Sequence, residues 1–257
     1  MTEELSARRL AELESTSIAS EDRTTRRLAL AAAVLLIVLL SGVVYALYTG
    51  VMSVRAPRTA VEARLSVLEA AVQQYPASGD AWREYIEALV ASEQLGEATR
   101  QLEVAQQSVE ELETGPVAVA ELTILWATGD TTSVLERGSA LYEEQVAIRE
   151  AWIAERQANS NVAFFPEETK PEVLIEILAY TARAYGVQGD WELATEKLTQ
   201  AISINPRAAN LLVMRGDAYL RNGQYDEARE DFEAALAYIP DYEAALSGLE
   251  AVEAADE

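Results

Sequence analysis

Two stretches of the chain repeat each other at a constant distance of 34 residues, and this period limits the fold more than any other feature. The first stretch covers residues 175–206 and the second covers residues 211–240. Nine pairs share the spacing: Leu178 and Leu212, Ala182 and Gly216, Tyr185 and Tyr219, Gly189 and Gly223, Trp191 and Tyr225, Ala194 and Ala228, Leu198 and Phe232, Ala201 and Ala235, Pro206 and Pro240. A period of this length is typical of repeat proteins, in which each unit packs against its neighbours.

Each copy is predicted to form a helix, a short turn and a second helix. Gly189 and Gly223 stand just after the first helix, where a left-handed cap is needed. Pro206 and Pro240 end the second helix, because proline cannot continue it. The pattern closely resembles the tetratricopeptide repeat family. The resemblance implies an all-α fold, a right-handed superhelical solenoid of helix hairpins with a concave groove.

The repeats divide the C-terminal part of the chain into segments. Residues 171–241 are predicted to hold two well-matched repeats, and residues 53–148 to form degenerate hairpins that fit the pattern less closely. Residues 149–170 break the period and are predicted to be an irregular insertion. Residues 242–257 are predicted to form a C-terminal capping helix, with Leu246 among the apolar residues on its inner side.

An uncharged apolar stretch precedes the repeats. No charged residue occurs between Leu28 and Val54, and about 20 apolar residues are enough to span a bilayer. We therefore predict a transmembrane helix over residues 28–52. A cleaved signal peptide is an alternative, since Val44-Tyr45-Ala46 is an acceptable cleavage site, although a long segment precedes the apolar run. A helix buried in a soluble core is disfavoured, because the stretch has no polar side.

The basic residues that flank this stretch predict its orientation. Residues 1–27 contain five arginines, whereas Arg55, Arg58 and Arg64 follow the apolar stretch. The positive-inside rule then places the N-terminus in the cytoplasm and the repeat domain outside, as in a single-pass protein of the cytoplasmic (inner) membrane with an extracytoplasmic or periplasmic domain. The inverted topology is the alternative. The tail is predicted to be mostly disordered, with a helix that docks a cytoplasmic partner as the other interpretation.

Composition excludes several classes of protein. The 257 residues include 43 acidic and 20 basic residues, a formal net charge of −23, with no cysteine and no histidine. A disulfide framework, a thiolate nucleophile and a zinc finger are therefore excluded, and a nucleic-acid binder would need a basic face. We predict no enzyme activity, because no carboxylate pair stands out. We predict no cofactor or bound metal, because the sequence has no Gly-rich phosphate loop and no EF-hand spacing. The acidity either steers a basic partner or reflects the composition of the source proteome.

The first helices of stacked hairpins line the groove, and the family resemblance implies that this groove binds a protein or peptide. The side chains predicted to line it are Arg83, Glu87, Trp126, Tyr180, Arg183, Asn210, Val213, Asp217 and Arg221. The Lys and Asn set with which some relatives clamp a C-terminal carboxylate is absent. Trp152, Phe164 and Phe165 are predicted as a second contact in the insertion. The alternative is that the two phenylalanines only pack over the neighbouring hairpin.

The sequence favours a membrane-anchored scaffold, assembly factor or chaperone at the outer face of the cytoplasmic membrane. An anchor followed by outward repeats resembles the ancillary subunit of the bacterial secretion translocon. The stretch from Leu65 to Leu102 resembles the repeats of cytochrome c maturation proteins, although those proteins usually carry a further membrane span. The alternative is a permanent structural subunit of a membrane complex, which should expose a sizeable apolar patch. Neither the partner nor the oligomeric state is predicted.

Overall fold

A computed structural model describes residues 59–158 and 170–256, and these residues form paired helices without a strand. The helices are α1 (Ala60–Gln74), α2 (Gly79–Ala91), α3 (Leu95–Ser108), a 3₁₀ turn (Glu111–Glu113), α4 (Thr114–Ala127), α5 (Thr131–Ala158), α6 (Pro171–Gln188), α7 (Trp191–Ile204), α8 (Ala209–Arg221), α9 (Tyr225–Tyr238) and α10 (Glu243–Asp256). The all-α prediction is confirmed for these residues. The predicted tail (1–27) and transmembrane helix (28–52) lie outside them. Of the helices just named, none combines the length and apolarity needed to cross a membrane.

Local sequence signals fix where several helices begin. The side chains of Thr59, Ser78 and Asp130 each accept a hydrogen bond from a backbone N–H in the first turn of α1, α2 and α5. Such caps satisfy donors that have no partner within the helix. Pro171 is the first residue of α6, a position where the missing N–H costs nothing.

The turns between paired helices use left-handed backbone conformations. Gly189 and Gly223 have φ angles of 85° and 77° and end α6 and α8, as the repeat pattern predicts. Glu93 takes the same place between α2 and α3 with a φ of 61°. The backbone N–H of the residue after Glu93 and of the residue after Gly223 each donates a 2.9 Å hydrogen bond to a carbonyl near the end of the preceding helix. Glu93 therefore adopts the left-handed turn conformation that glycine adopts in the later repeats.

Each helix packs against the next one along the chain, and the first helices of successive hairpins also touch. Thus α4 packs against both α2 and α6, and α8 packs against α10. Phe232 in α9 is fully buried and lies against Gly216 of α8 and Gly248 of α10. A Cβ atom at these glycines would come within 2.8 and 2.5 Å of its ring. Two glycines therefore make the space for one aromatic ring between three helices.

Two ionic contacts connect α2 with the start of α6. Arg83 donates hydrogen bonds of 2.9 and 2.5 Å to the carboxylate of Glu176. Lys170, which directly precedes α6, pairs with Asp80 at 2.7 Å and with Glu113 at 2.9 Å. The Arg83–Glu176 and Lys170–Asp80 contacts join residues 93 and 90 positions apart in the sequence. Most contacts in a solenoid are made between neighbouring repeats. These ionic contacts differ, because they join hairpins that are not adjacent in the sequence.

Two predictions need correction. Residues 149–158, predicted as the start of an irregular insertion, continue α5 to Ala158, because they contain no glycine or proline and consist mostly of good helix formers. Residues 159–169 lie outside the described part. Leu246, predicted to face inward, is 45% exposed. The helix α10 packs through Ala245, Leu249 and Val252 instead, and Leu246 lies one position away from that row.

Candidate binding pocket

The described residues contain an open pocket of about 430 Å³ between α4, α6, α7 and α8. We call it the Arg183–Arg221 pocket. Its lining residues are Trp126, Ala182, Arg183, Gly186, Val187, Trp191, Ala194, Leu198, Met214, Asp217, Ala218 and Arg221. The first helices α6 and α8 supply opposite walls, and the second helix α7 supplies the floor. The stacking of hairpins therefore creates the pocket from residues that are far apart in the sequence.

One wall carries an arginine that contacts two aromatic rings. The guanidinium carbon of Arg183 lies 4.3 Å from the ring centroid of Trp126 and 5.7 Å from that of Tyr180. The two rings meet edge to face at 6.4 Å, and the Tyr180 hydroxyl shares a 2.9 Å hydrogen bond with the hydroxyl of Thr123. Arg183 and Tyr180 lie three positions apart on α6 and so share one side of the helix. Cation–π contact positions the guanidinium group and leaves its N–H edges available.

The opposite wall presents Asp217 and Arg221, which lie one helical turn apart on α8. The walls of the pocket partly desolvate Asp217 and raise the pKa of its carboxyl, and the charge of Arg221 acts in the opposite direction. Within residues 59–158 and 170–256, neither Arg183 nor Arg221 forms a salt bridge. Both cations therefore remain available to a bound molecule.

The floor of the pocket is apolar. Ala194 and Leu198 of α7 are almost fully buried beneath it, and Trp191 stands at the N-terminal end of the same helix. A Cβ atom at Gly186 would lie 2.9 Å from the Trp191 ring, so the glycine allows the indole to pack against α6. The pocket thus combines two cationic groups with an apolar surface that water solvates poorly.

Residues 181–245 match the sequence profile of the tetratricopeptide repeat family. The structure is similar to TTC0263, a thermophilic tetratricopeptide repeat protein of Thermus thermophilus, with a TM-score of 0.50 and 16% identity, over 75% of this chain and 90% of that one. It is also similar to YrrB, described as a tetratricopeptide repeat protein with an unusual peptide-binding site, with a TM-score of 0.46 and 17% identity, over 74% of this chain and 84% of that one. No curated protein has a significantly similar sequence. The described chain therefore has the tetratricopeptide repeat fold.

Four of the side chains predicted to line the tetratricopeptide groove do line this pocket: Trp126, Arg183, Asp217 and Arg221. Tyr180 is not among the lining residues, but its ring contacts the guanidinium group of Arg183. The predicted groove residues Arg83 and Glu87 lie elsewhere, on α2. Arg83 pairs with Glu87 at 2.7 Å as well as with Glu176. The positive charge of Arg83 is therefore paired with the two glutamates. The N-terminal part of the predicted groove carries this internal ionic contact.

The remaining predicted contacts are distributed differently. Val213 is only 6% exposed and belongs to the core around Phe232, so its assignment to the groove was wrong. Asn210 is exposed in the first turn of α8, away from the pocket. Trp152 is 7% exposed and its ring stacks under Arg156 at 4.9 Å, so it is packed within the fold and is not a free partner contact. Phe164 and Phe165 lie outside the described residues.

The contribution of the second helix to the pocket was not predicted from the sequence. Trp191 and Leu198 line the pocket from α7, whereas the prediction took its lining residues from first helices only. The sequence does contain a signal for this contribution. Gly186 and Trp191 correspond to Leu220 and Tyr225 in the next repeat, so the first of the two repeats pairs a smaller residue with a larger ring, which indicates that its two helices pack differently. Within the described ranges, no group of three acidic side chains is arranged to hold a metal ion.

Proposed function

We propose that this chain binds an extended segment of another protein in the Arg183–Arg221 pocket and acts as a scaffold, assembly factor or chaperone. The observation that carries the proposal is the pocket itself, with an apolar floor, an aromatic wall and two arginines that form no salt bridge with another described residue. Solenoids of stacked helix pairs provide extended concave surfaces for such partners.

The proposal includes attachment to the outer face of the cytoplasmic membrane. It rests on the apolar stretch at residues 28–52 and on the arginines that precede it. Because the natural sequence has no cysteine, Ser53→Cys or Ser160→Cys would introduce a single thiol. A membrane-impermeant thiol reagent should label both variants in intact cells. Labelling that appears only after lysis would reverse the orientation.

Affinity purification of the full chain from native membranes in mild detergent tests the binding role. The wild type should recover a partner set that the double variant Arg183→Gln/Arg221→Gln loses. Arg207→Gln is the matched control, because it removes one exposed positive charge outside the pocket. If the double variant recovers the same partners in the same amounts as the wild type, the pocket is not the binding site.

A second candidate function is that of a permanent structural subunit. Exposed apolar side chains in the last hairpin and the final helix favour it. Tyr238, Ile239 and Leu246 are 48%, 47% and 45% exposed. A permanent subunit would hold stoichiometric partners through high salt, and serine at these three positions would release them. Substoichiometric partners that the pocket variant alone releases would favour the transient role.

A further inference from the structure

We infer that the Arg183–Arg221 pocket selects partner segments in which a carboxylate lies beside an apolar side chain, and that Asp217 restricts which carboxylates can enter. This inference rests on the proposed function and specifies the chemistry of the bound segment. The carboxylate belongs either to an acidic side chain or to a chain terminus, and both sources present the same two oxygen acceptors.

The charge of the pocket differs from the charge of the chain. The protein has a formal net charge of −23, yet the pocket contains two arginines and one aspartate. The surrounding acidic surface repels an acidic segment at a distance, and solvent ions screen that repulsion beyond about 10 Å. Recognition of a carboxylate must therefore come from direct contact inside the pocket, where the positive groups are in the majority.

The two arginines are arranged as carboxylate receptors. The Arg183 guanidinium group lies over the rings of Trp126 and Tyr180, and no salt bridge among the described residues uses its N–H groups. A guanidinium edge matches a carboxylate with two parallel hydrogen bonds. Elsewhere in the described chain, arginines already use this geometry, as Arg215 does with Asp231 at 2.8 and 2.7 Å. Arg183 has no such partner among the described residues, so the acceptor must come from outside them.

The apolar floor supplies the second half of the selection. Trp191, Met214 and Leu198 line the pocket together with the two arginines, and its volume of about 430 Å³ is within the usual range for ligand pockets. An aliphatic or aromatic side chain on this floor would remove apolar surface from water while its neighbouring carboxylate meets the arginines. A segment with only acidic residues would leave the floor unfilled.

Asp217 acts as the restricting group. It lies on the same wall as Arg221, attracts that arginine and repels a second carboxylate that approaches it. A segment whose carboxylate is directed to Arg183 avoids the repulsion, whereas a segment with adjacent carboxylates does not. We therefore expect Asp217→Asn to leave the binding of singly acidic segments almost unchanged and to tighten the binding of doubly acidic ones about tenfold.

The test is selection of random short peptides displayed on phage against the full chain in detergent micelles. One library presents the random segment internally and a second presents it with a free C-terminus, so the two carboxylate sources are separated. We expect enriched peptides to pair an acidic group with an apolar residue, and the Arg183→Gln/Arg221→Gln variant to lose them. Arg207→Gln should enrich the same peptides as the wild type. Circular dichroism of each variant checks that it is folded.

Three outcomes distinguish this inference from the proposed function. Enriched peptides that lack an acidic group, or that the double variant retains, would overturn the inference and leave peptide binding intact. Enrichment of singly acidic peptides together with continued exclusion of doubly acidic ones by Asp217→Asn would overturn the role of Asp217 alone. If no peptide is enriched above the bare micelle in either library, the proposed peptide-binding function itself is contradicted.

Discussion

Arg83 in α2 and Glu176 in α6 form a two-pronged ion pair, with hydrogen bonds of 2.9 and 2.5 Å between the guanidinium group and the carboxylate. Partial burial acts to lower the pKa of Arg83, but the hydrogen bonds and charges of Glu176 and Glu87 together outweigh it and raise the pKa. The pair joins two helices that both pack against α4. It therefore holds the N-terminal hairpins at a fixed distance from the well-matched repeats.

We predict that Arg83 and Glu176 are energetically coupled. A double-mutant cycle with Arg83→Ala and Glu176→Ala should give a coupling of about 1 kcal/mol, because the contact is bidentate and partly shielded from water. Urea unfolding of the four proteins measures it. The exposed pair of Arg100 and Glu97 on α3 provides the comparison and should give a smaller coupling. Additive effects of Arg83→Ala and Glu176→Ala would mean that the pair does not tie the helices.

We predict that Glu93→Gly stabilises the chain. Glu93 has a φ of 61°, and a side chain in this left-handed region costs about 1–2 kcal/mol, whereas glycine adopts it freely. The greater entropy of glycine in the unfolded chain offsets part of the gain, so the free energy of unfolding should rise by about 0.5–1 kcal/mol. The converse change, Gly223→Ala, should lower it, and open space around that position excludes a steric contribution. A destabilised Glu93→Gly protein would contradict the argument.

We predict that alanine at Gly216 or Gly248 destabilises the fold by about 1–3 kcal/mol, because the added methyl group would overlap the ring of Phe232. In the preceding repeat, the positions of Gly216 and Phe232 hold Ala182 and Leu198. The double variant Gly216→Ala/Phe232→Leu reproduces that pair and should recover part of the loss. Gly96→Ala, where no atom lies near the added methyl group, is the control and should not destabilise. Thermal or urea unfolding distinguishes these outcomes.

We predict that the charge on Asp217 weakens the fold at neutral pH. Its folded-state pKa is raised, chiefly by burial, while Arg221 lowers it. The stabilisation from its protonated form is therefore complete below the ordinary pKa of the carboxyl and is lost as the pH rises through the raised value. Asp217→Asn cannot ionise, so it should be more stable than the wild type at neutral pH, and the difference should shrink in acid.

Unfolding curves across this pH range measure the Asp217 effect. Asp226→Asn removes one negative charge from an exposed position on α9, where the carboxylate side chain is 93% exposed, and controls for the net charge. If Asp217→Asn and Asp226→Asn change stability by the same amount at every pH, the burial of Asp217 has no effect on the fold.

The helices of the two matched repeats could be predicted from the sequence because their signals are local. Gly189 and Gly223 mark the turns through a backbone conformation that depends on one residue. The same reasoning fails at Glu93, since nothing in a glutamate indicates a positive φ. There the hydrogen bonds of the neighbouring helices determine the turn, and propensity is overruled by tertiary structure.

The pocket could be predicted only in part. Trp126, Arg183, Asp217 and Arg221 were found because first helices line the groove in the family that the repeats resemble. The remaining contacts depend on how hairpins are rotated against each other, which a period does not specify. Val213 therefore turned out to be buried in the core, and Trp191 entered the pocket from the second helix.

The spacing of Arg83 and Glu176 also sets an order of assembly. The arginine is synthesised 93 residues before its partner, so α1 to α4 can form and pack while that contact is still missing. Neighbouring hairpins need only local contacts and can fold as they emerge, whereas the closing of α2 onto α6 has to wait for the sixth helix. The first hairpins therefore have to pack without the Arg83–Glu176 contact until α6 has been made, and this contact then joins them to a helix from the second half of the chain.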